Sequence, residues 1–112
     1  MKIISWNCNG AFRKKTEEID KLDADILVIQ ECENPELSTK AYRDWAGEYL
    51  WTGKSKNKGL GIFARKGQKL KKLEWSGAYK QPINHPKHVW PSEKLESFLP
   101  CIIEGFVAER MK

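Results

Sequence analysis

Asp25-Ile26-Leu27-Val28-Ile29-Gln30-Glu31 sets four aliphatic residues in a row between polar ends, with no polar alternation. That pattern suits a strand covered on both faces. Upstream, residues 2–6 form a short apolar run that stops at Asn7-Cys8-Asn9-Gly10, a cluster of turn formers. Between the two runs, Phe12, Ile19 and Leu22 fall near one face of a short amphipathic helix, with charged residues on the others. The opening therefore reads strand, helix, strand. So short a crossover implies parallel strands in a right-handed unit, with both carboxyl ends on the same side. Ligands in such sheets sit outside those ends, where Asn7, Asn9 and Glu31 lie.

Downstream the signals are weaker. Residues 33–47 are polar, with a helical turn or two expected through Tyr42 and Trp45. Tyr49-Leu50-Trp51-Thr52 reads as a strand and Gly53 to Lys58 as a lysine-rich loop. Gly59-Leu60-Gly61-Ile62-Phe63-Ala64 and Lys69 to Trp75 flank Arg65-Lys66-Gly67-Gln68, which predicts a hairpin. Gly77 to Ser97 carries three prolines and no sustained period, the signature of a long loop. Phe98 to Phe106 returns to strand-like composition, with Pro100 favouring an edge or strand start.

With 112 residues the chain is expected to form one domain, 1–112, around one hydrophobic core. The start lacks the apolar stretch of a signal peptide, and no later run has the length of a membrane-spanning helix, so the chain reads as cytoplasmic with no membrane partner. Cys8, Cys32 and Cys101 are odd in number and far apart, as expected of reduced thiols. A net charge of +5 favours a polyanionic partner, and the excess gathers in Lys54, Lys56, Lys58, Arg65, Lys66, Lys69, Lys71 and Lys72. Trp51 and Trp75 at the margins of that stretch invite a base-stacking reading. The competing reading is a solvated hairpin with its tryptophans turned to the core.

Two carboxamides beside a glycine, followed about twenty residues later by an acid closing a buried strand, make a hard-oxygen site of the kind magnesium prefers. Ser5-Trp6-Asn7-Cys8-Asn9-Gly10 resembles the opening motif of the endonuclease/exonuclease/phosphatase family, and Ile29-Gln30-Glu31 resembles its second. Gly59-Leu60-Gly61-Ile62-Phe63 is similar to that family's next strand. The resemblance implies that Asn7 and Glu31 are catalytic residues binding a divalent metal, Mg or Mn, with Asn9 beside it. It implies a phosphodiester substrate such as nucleic acid, and an α+β (α/β) fold whose mixed β-sheet is half of a four-layer β-sandwich.

The same comparison exposes departures. The family carries a Gly-Asp-x-Asn motif for the nucleophile and leaving group and a late Asp-His pair for water activation; Gly-Asp occurs nowhere here, and no His follows an Asp. His85 and His88 sit in the proline-rich stretch, where loop histidines are the default, and Cys8 has no candidate base near it in sequence. The chain thus reads as a truncated front part, a gene fragment or one piece of a split enzyme, weakly active or inactive alone. An apolar sheet face left open by truncation predicts self-association or a complementing chain. The alternative is a basic nucleic-acid-binding module without catalysis.

Overall fold

A computed structural model describes residues 1–73, 76–79, 88–91, 99 and 101–104. Four strands form a mixed sheet in the order β1-β2-β4-β3: β1 is Ile3–Asn7, β2 Ile26–Cys32, β3 Glu48–Ser55 and β4 Lys58–Ala64. β1 and β2 run parallel, in register from Ile3 opposite Ile26 to Asn7 opposite Gln30. The aliphatic run is therefore the inner strand expected of it, with β1 on one side and antiparallel β4 on the other.

Its alternation sorts the core into two layers. Leu27 and Ile29 face one way, packing with Phe12, Ile19, Tyr42, Phe63 and the partly buried Ile4 and Trp6. Ile26 faces the other, with Ile62, Ala64, Leu70 and Leu99, and the half-buried Val28 joins them. This second layer is covered at its lower end by a two-stranded ribbon of β5 (Lys69–Lys72) and β8 (Cys101–Glu104), which lays Leu70 and Ile103 over the sheet. β8 lies inside the strand expected over Phe98 to Phe106.

The connection between β1 and β2 departs from a single helix over 12–22. It is a 3-10 turn, Phe12–Lys14, followed by α1, Thr16–Asp20. Lys15 separates them at φ −119° and ψ 2°, outside the helical basin. Its ammonium reaches back to the carbonyls of Cys8 and Gly10, so the helix is broken where the chain ties down the loop before it. α2, Lys40–Ala46, carries the turns expected through Tyr42 and Trp45; Thr39 caps its start by accepting from the Tyr42 amide at 3.2 Å. Arg65 closes its end, donating to the Trp45 and Ala46 carbonyls while lying 4.0 Å from the Trp45 ring centroid. Burial lowers the Arg65 pKa.

Two turn assignments are corrected. The hairpin is β3–β4, with Ser55 opposite Lys58, so most of the expected loop Gly53 to Lys58 is strand. β4 does not pair with β5, whose partner is β8. The long loop expected from Gly77 to Ser97 is instead entered by one short strand, β6 (Ser76–Tyr79), and holds a second, β7 (His88–Pro91), paired antiparallel to it. Val89 and Trp90 favour such a ribbon, and Pro91 falls at its end, where a missing amide hydrogen costs little. His88 is therefore a strand residue, whereas His85 and Trp75 lie outside the described residues. No helix among the described residues is long and apolar enough to cross a membrane.

Candidate metal site at the strand ends

Asn7 ends β1, and Glu31 lies one residue past Gln30, the register partner of Asn7. Strict alternation would send Glu31 to the layer of Leu27 and Ile29, away from Asn7. It does not go there. The β2–β4 register slips between Gln30 and Cys32, and Glu31 adopts φ +61°, the left-handed region that non-glycine residues rarely enter. The bulge absorbs one residue, so Cys32 takes the place in the first layer that Glu31 would have filled. Glu31 consequently stays out of the first core layer, and its carboxylate lies 3.7 Å from the Lys58 ammonium. Leu60 and Ile62, two and four residues beyond Lys58 on β4, belong to the second core layer.

The loop after β1 is equally constrained. Asn9, Gly10 and Ala11 all have positive φ, at 59°, 82° and 52°. The Asn9 amide donates to the Asn7 side-chain oxygen at 3.0 Å, and Lys15 holds the carbonyls on either side of Asn9. The Cys8 amide donates to the Gln30 carbonyl at 3.1 Å, extending the parallel ladder past Asn7. The first two motifs are thereby locked to one another through backbone. Two cavities of about 190 and 260 Å³ lie away from these residues, one lined by Asp20, Asp23, Arg65 and Lys66, the other by Ile4, Trp6, Ile19 and Leu22.

A second acid, Glu33, lies two residues on, and its role is not legible from spacing or composition. Glu33 is 2% exposed, pairs with Arg13 at 2.7 Å and accepts from the Arg13 amide. It is committed to holding the 3-10 turn against the end of β2. Glu31 is thus left as the carboxylate of the site, and no group of three or more His, Cys, Asp or Glu residues suited to a metal occurs among the described residues. The donor set fits a hard cation bound through one carboxylate and amide oxygens, with water completing its shell. Sequence reading missed the contact of Lys15 with the loop after β1, and it placed Lys58 only in the basic stretch, because each contact is a tertiary one that lysine spacing does not encode.

Cys8 and Cys32 are buried, with their thiols on backbone carbonyls: Cys8 on those of Gln30 and Glu31, Cys32 on those of Ile29 and Gly59. All three cysteines are free, as expected. Burial raises the Cys8 pKa and pushes that of Cys32 up to about 12, so neither supplies a thiolate near neutrality. Tyr42, whose hydroxyl donates to the Glu33 carbonyl at 2.8 Å, is also raised by burial. An acid whose folded pKa lies above its unfolded value stabilises the fold below the unfolded pKa and withdraws that support as pH rises. The urea midpoint is therefore expected to hold up to about pH 9 and fall steeply toward pH 12. Cys32→Ala should make the fall shallower, as followed by tryptophan fluorescence; an identical slope would mean Cys32 does not contribute.

Comparison with protein-family models, curated proteins and solved structures gives no match to this chain.

Proposed function

We propose that this chain binds magnesium or manganese at Asn7, Asn9 and Glu31 and engages phosphodiesters there, as its resemblance to the endonuclease/exonuclease/phosphatase family implies. The observation that carries the reading is the bulge at Glu31. A left-handed glutamate at an inner-strand end is an unfavourable conformation, and here it accompanies a carboxylate kept out of the first core layer, 3.7 Å from the Lys58 ammonium. The fold-level half of the resemblance belongs to the same proposal: the four-stranded sheet with a ribbon over one face is compatible with one half of a β-sandwich.

When bound, such a cation supplies polarisation of a phosphoryl oxygen and neutralises part of the phosphate charge. Glu31 contributes the anionic ligand and Asn7 a neutral oxygen, while Asn9 keeps Asn7 oriented through its amide. A base for water and a donor for the leaving oxygen are further needs of hydrolysis. The sequence lacks the Gly-Asp-x-Asn and Asp-His motifs that meet them in the family, so turnover by this chain is proposed to be weak.

The alternative of a basic nucleic-acid-binding module has less behind it. Lys54, Lys56 and Lys58 stand on the β3–β4 hairpin, whereas Lys69, Lys71 and Lys72 stand on β5, which pairs elsewhere. Trp51 packs against the first core layer and donates to the Cys32 carbonyl at 3.1 Å.

Manganese broadening of amide resonances tests the metal reading. Mn²⁺ is expected to erase the signals of residues 7–9 and 30–32 first, and Glu31→Gln to weaken that binding by about tenfold or more, through loss of the anionic ligand. Equal affinity in the variant, or broadening centred elsewhere, would refute the site.

A further inference from the structure

We propose that Lys58 is the phosphate-recognition residue of this site, held in reserve by Glu31 until a divalent cation takes the carboxylate. The inference rests on the reading of Glu31 as a metal ligand and goes beyond it by assigning the second charge. Lys58 opens β4, and Gly59 beside it is the register partner of Cys32, so the Lys58 backbone has a fixed place next to the bulge. The turn before it is anchored as well, since the Asn34 amide donates to the Lys56 carbonyl at 2.7 Å. The side chain itself is free to swing: it is 66% exposed, against 34% for that of Glu31, and their charged atoms stand 3.7 Å apart.

That separation is longer than a charge-assisted hydrogen bond, and an exposed pair of this kind contributes little to holding either partner. A divalent cation brings twice the charge of the ammonium to the same carboxylate. With a cation held at Glu31, the Lys58 ammonium would be repelled from the carboxylate and left free to pair with a phosphate bound beside it. A monocation tethered about one side-chain length from the metal ligand is placed to pair with a phosphate oxygen that the metal does not hold. The ligand class is therefore a phosphate or phosphodiester bound jointly by metal and ammonium.

Two titrations of the intact chain test this: Mn²⁺ by paramagnetic broadening, and inorganic phosphate in saturating Mg²⁺ by amide shifts. Lys58→Gln should bind Mn²⁺ about two- to fivefold more tightly, because a competing cation is gone. The same variant should bind phosphate about three- to tenfold more weakly, with Lys58→Arg restoring phosphate binding. Lys56→Gln removes an equal charge from the same hairpin and should move neither titration. The exchange is overturned if Lys58→Gln leaves Mn²⁺ affinity unchanged or lowers it, or if Lys56→Gln acts as strongly, which would indicate a diffuse field. Mn²⁺ binding that survives in all variants without a Lys58 effect sinks this inference alone; absence of Mn²⁺ binding in every variant sinks the metal site with it.

Discussion

Phe12→Ala is expected to destabilise the chain by about 3–5 kcal/mol, the cost of removing a fully buried aromatic ring. The ring is 0% exposed and central to the first core layer. It meets Trp6, Tyr42 and Trp45 edge-on at centroid distances of 6.3, 5.9 and 5.4 Å, and Phe63 at 5.7 Å. Among the described residues no other aromatic ring links β1, the helical connection, α2 and β4 in this way. Phe12 also follows the three positive-φ residues of the candidate site, so its packing anchors a strained loop. With a stability typical of small domains, the loss would leave the variant marginal or unfolded. Urea unfolding followed by tryptophan fluorescence would read it, with Phe12→Leu recovering much of the midpoint. Leu37→Ala, at a side chain 63% exposed, should stay within about 0.5 kcal/mol of the parent. A Phe12→Ala change as small as that would mean the aromatic layer is not the core of the fold.

How far the sequence discloses this arrangement depends on how local each cause is. The covered strand was legible because Ile26 to Ile29 must satisfy two layers, and no other element tolerates that run so near a turn cluster. The parallel pairing of β1 and β2 followed from the short crossover. By contrast, the partner of β4 is chosen by distant packing: Leu70 of β5 is needed over Ile26, and the Leu70 amide donates to the Glu48 carboxylate at 2.9 Å. A turn-like Arg65 to Gln68 looks the same whether the chain folds back beside β4 or crosses over the sheet.

The site shows the same division. Asn7, Asn9 and Glu31 were identifiable as residue types at strand ends, but simple alternation would separate Asn7 from Glu31. The bulge at Glu31 breaks that alternation, and its cause is tertiary. Cys32 belongs in the first layer and the Trp51 indole hydrogen on its carbonyl, so the residue between Gln30 and Cys32 is pushed into the left-handed region. The burial of Glu33 was equally hidden, since two acids two residues apart read alike until Arg13 is seen to claim one of them.

Gly59→Ala is expected to be the most damaging single-methyl change in the sheet, costing more than the about 1–3 kcal/mol usual for overpacking. A Cβ at Gly59 would stand 2.3 Å from the Trp51 ring and 2.4 Å from the Thr52 carbonyl oxygen. The ring could tilt, but the carbonyl belongs to the adjoining strand and can move only if the β3–β4 pairing opens. Gly61→Ala offers the comparison, because its nearest neighbours, the Phe63 ring at 2.6 Å and the Cys32 sulfur at 2.9 Å, are side chains that can repack. Gly59→Ala should therefore lower the urea midpoint further than Gly61→Ala, and adding Trp51→Leu to it should recover only part of the loss. Full recovery in the double variant would place the whole conflict in the indole and leave the carbonyl innocent. Because Gly59 faces Cys32 across the bulge, the variant should also disturb Glu31, and its Mn²⁺ binding should fall at urea concentrations where the fold itself still holds. That dissociation would tie the left-handed glutamate to the close approach of the two strands, which only a residue without a side chain permits.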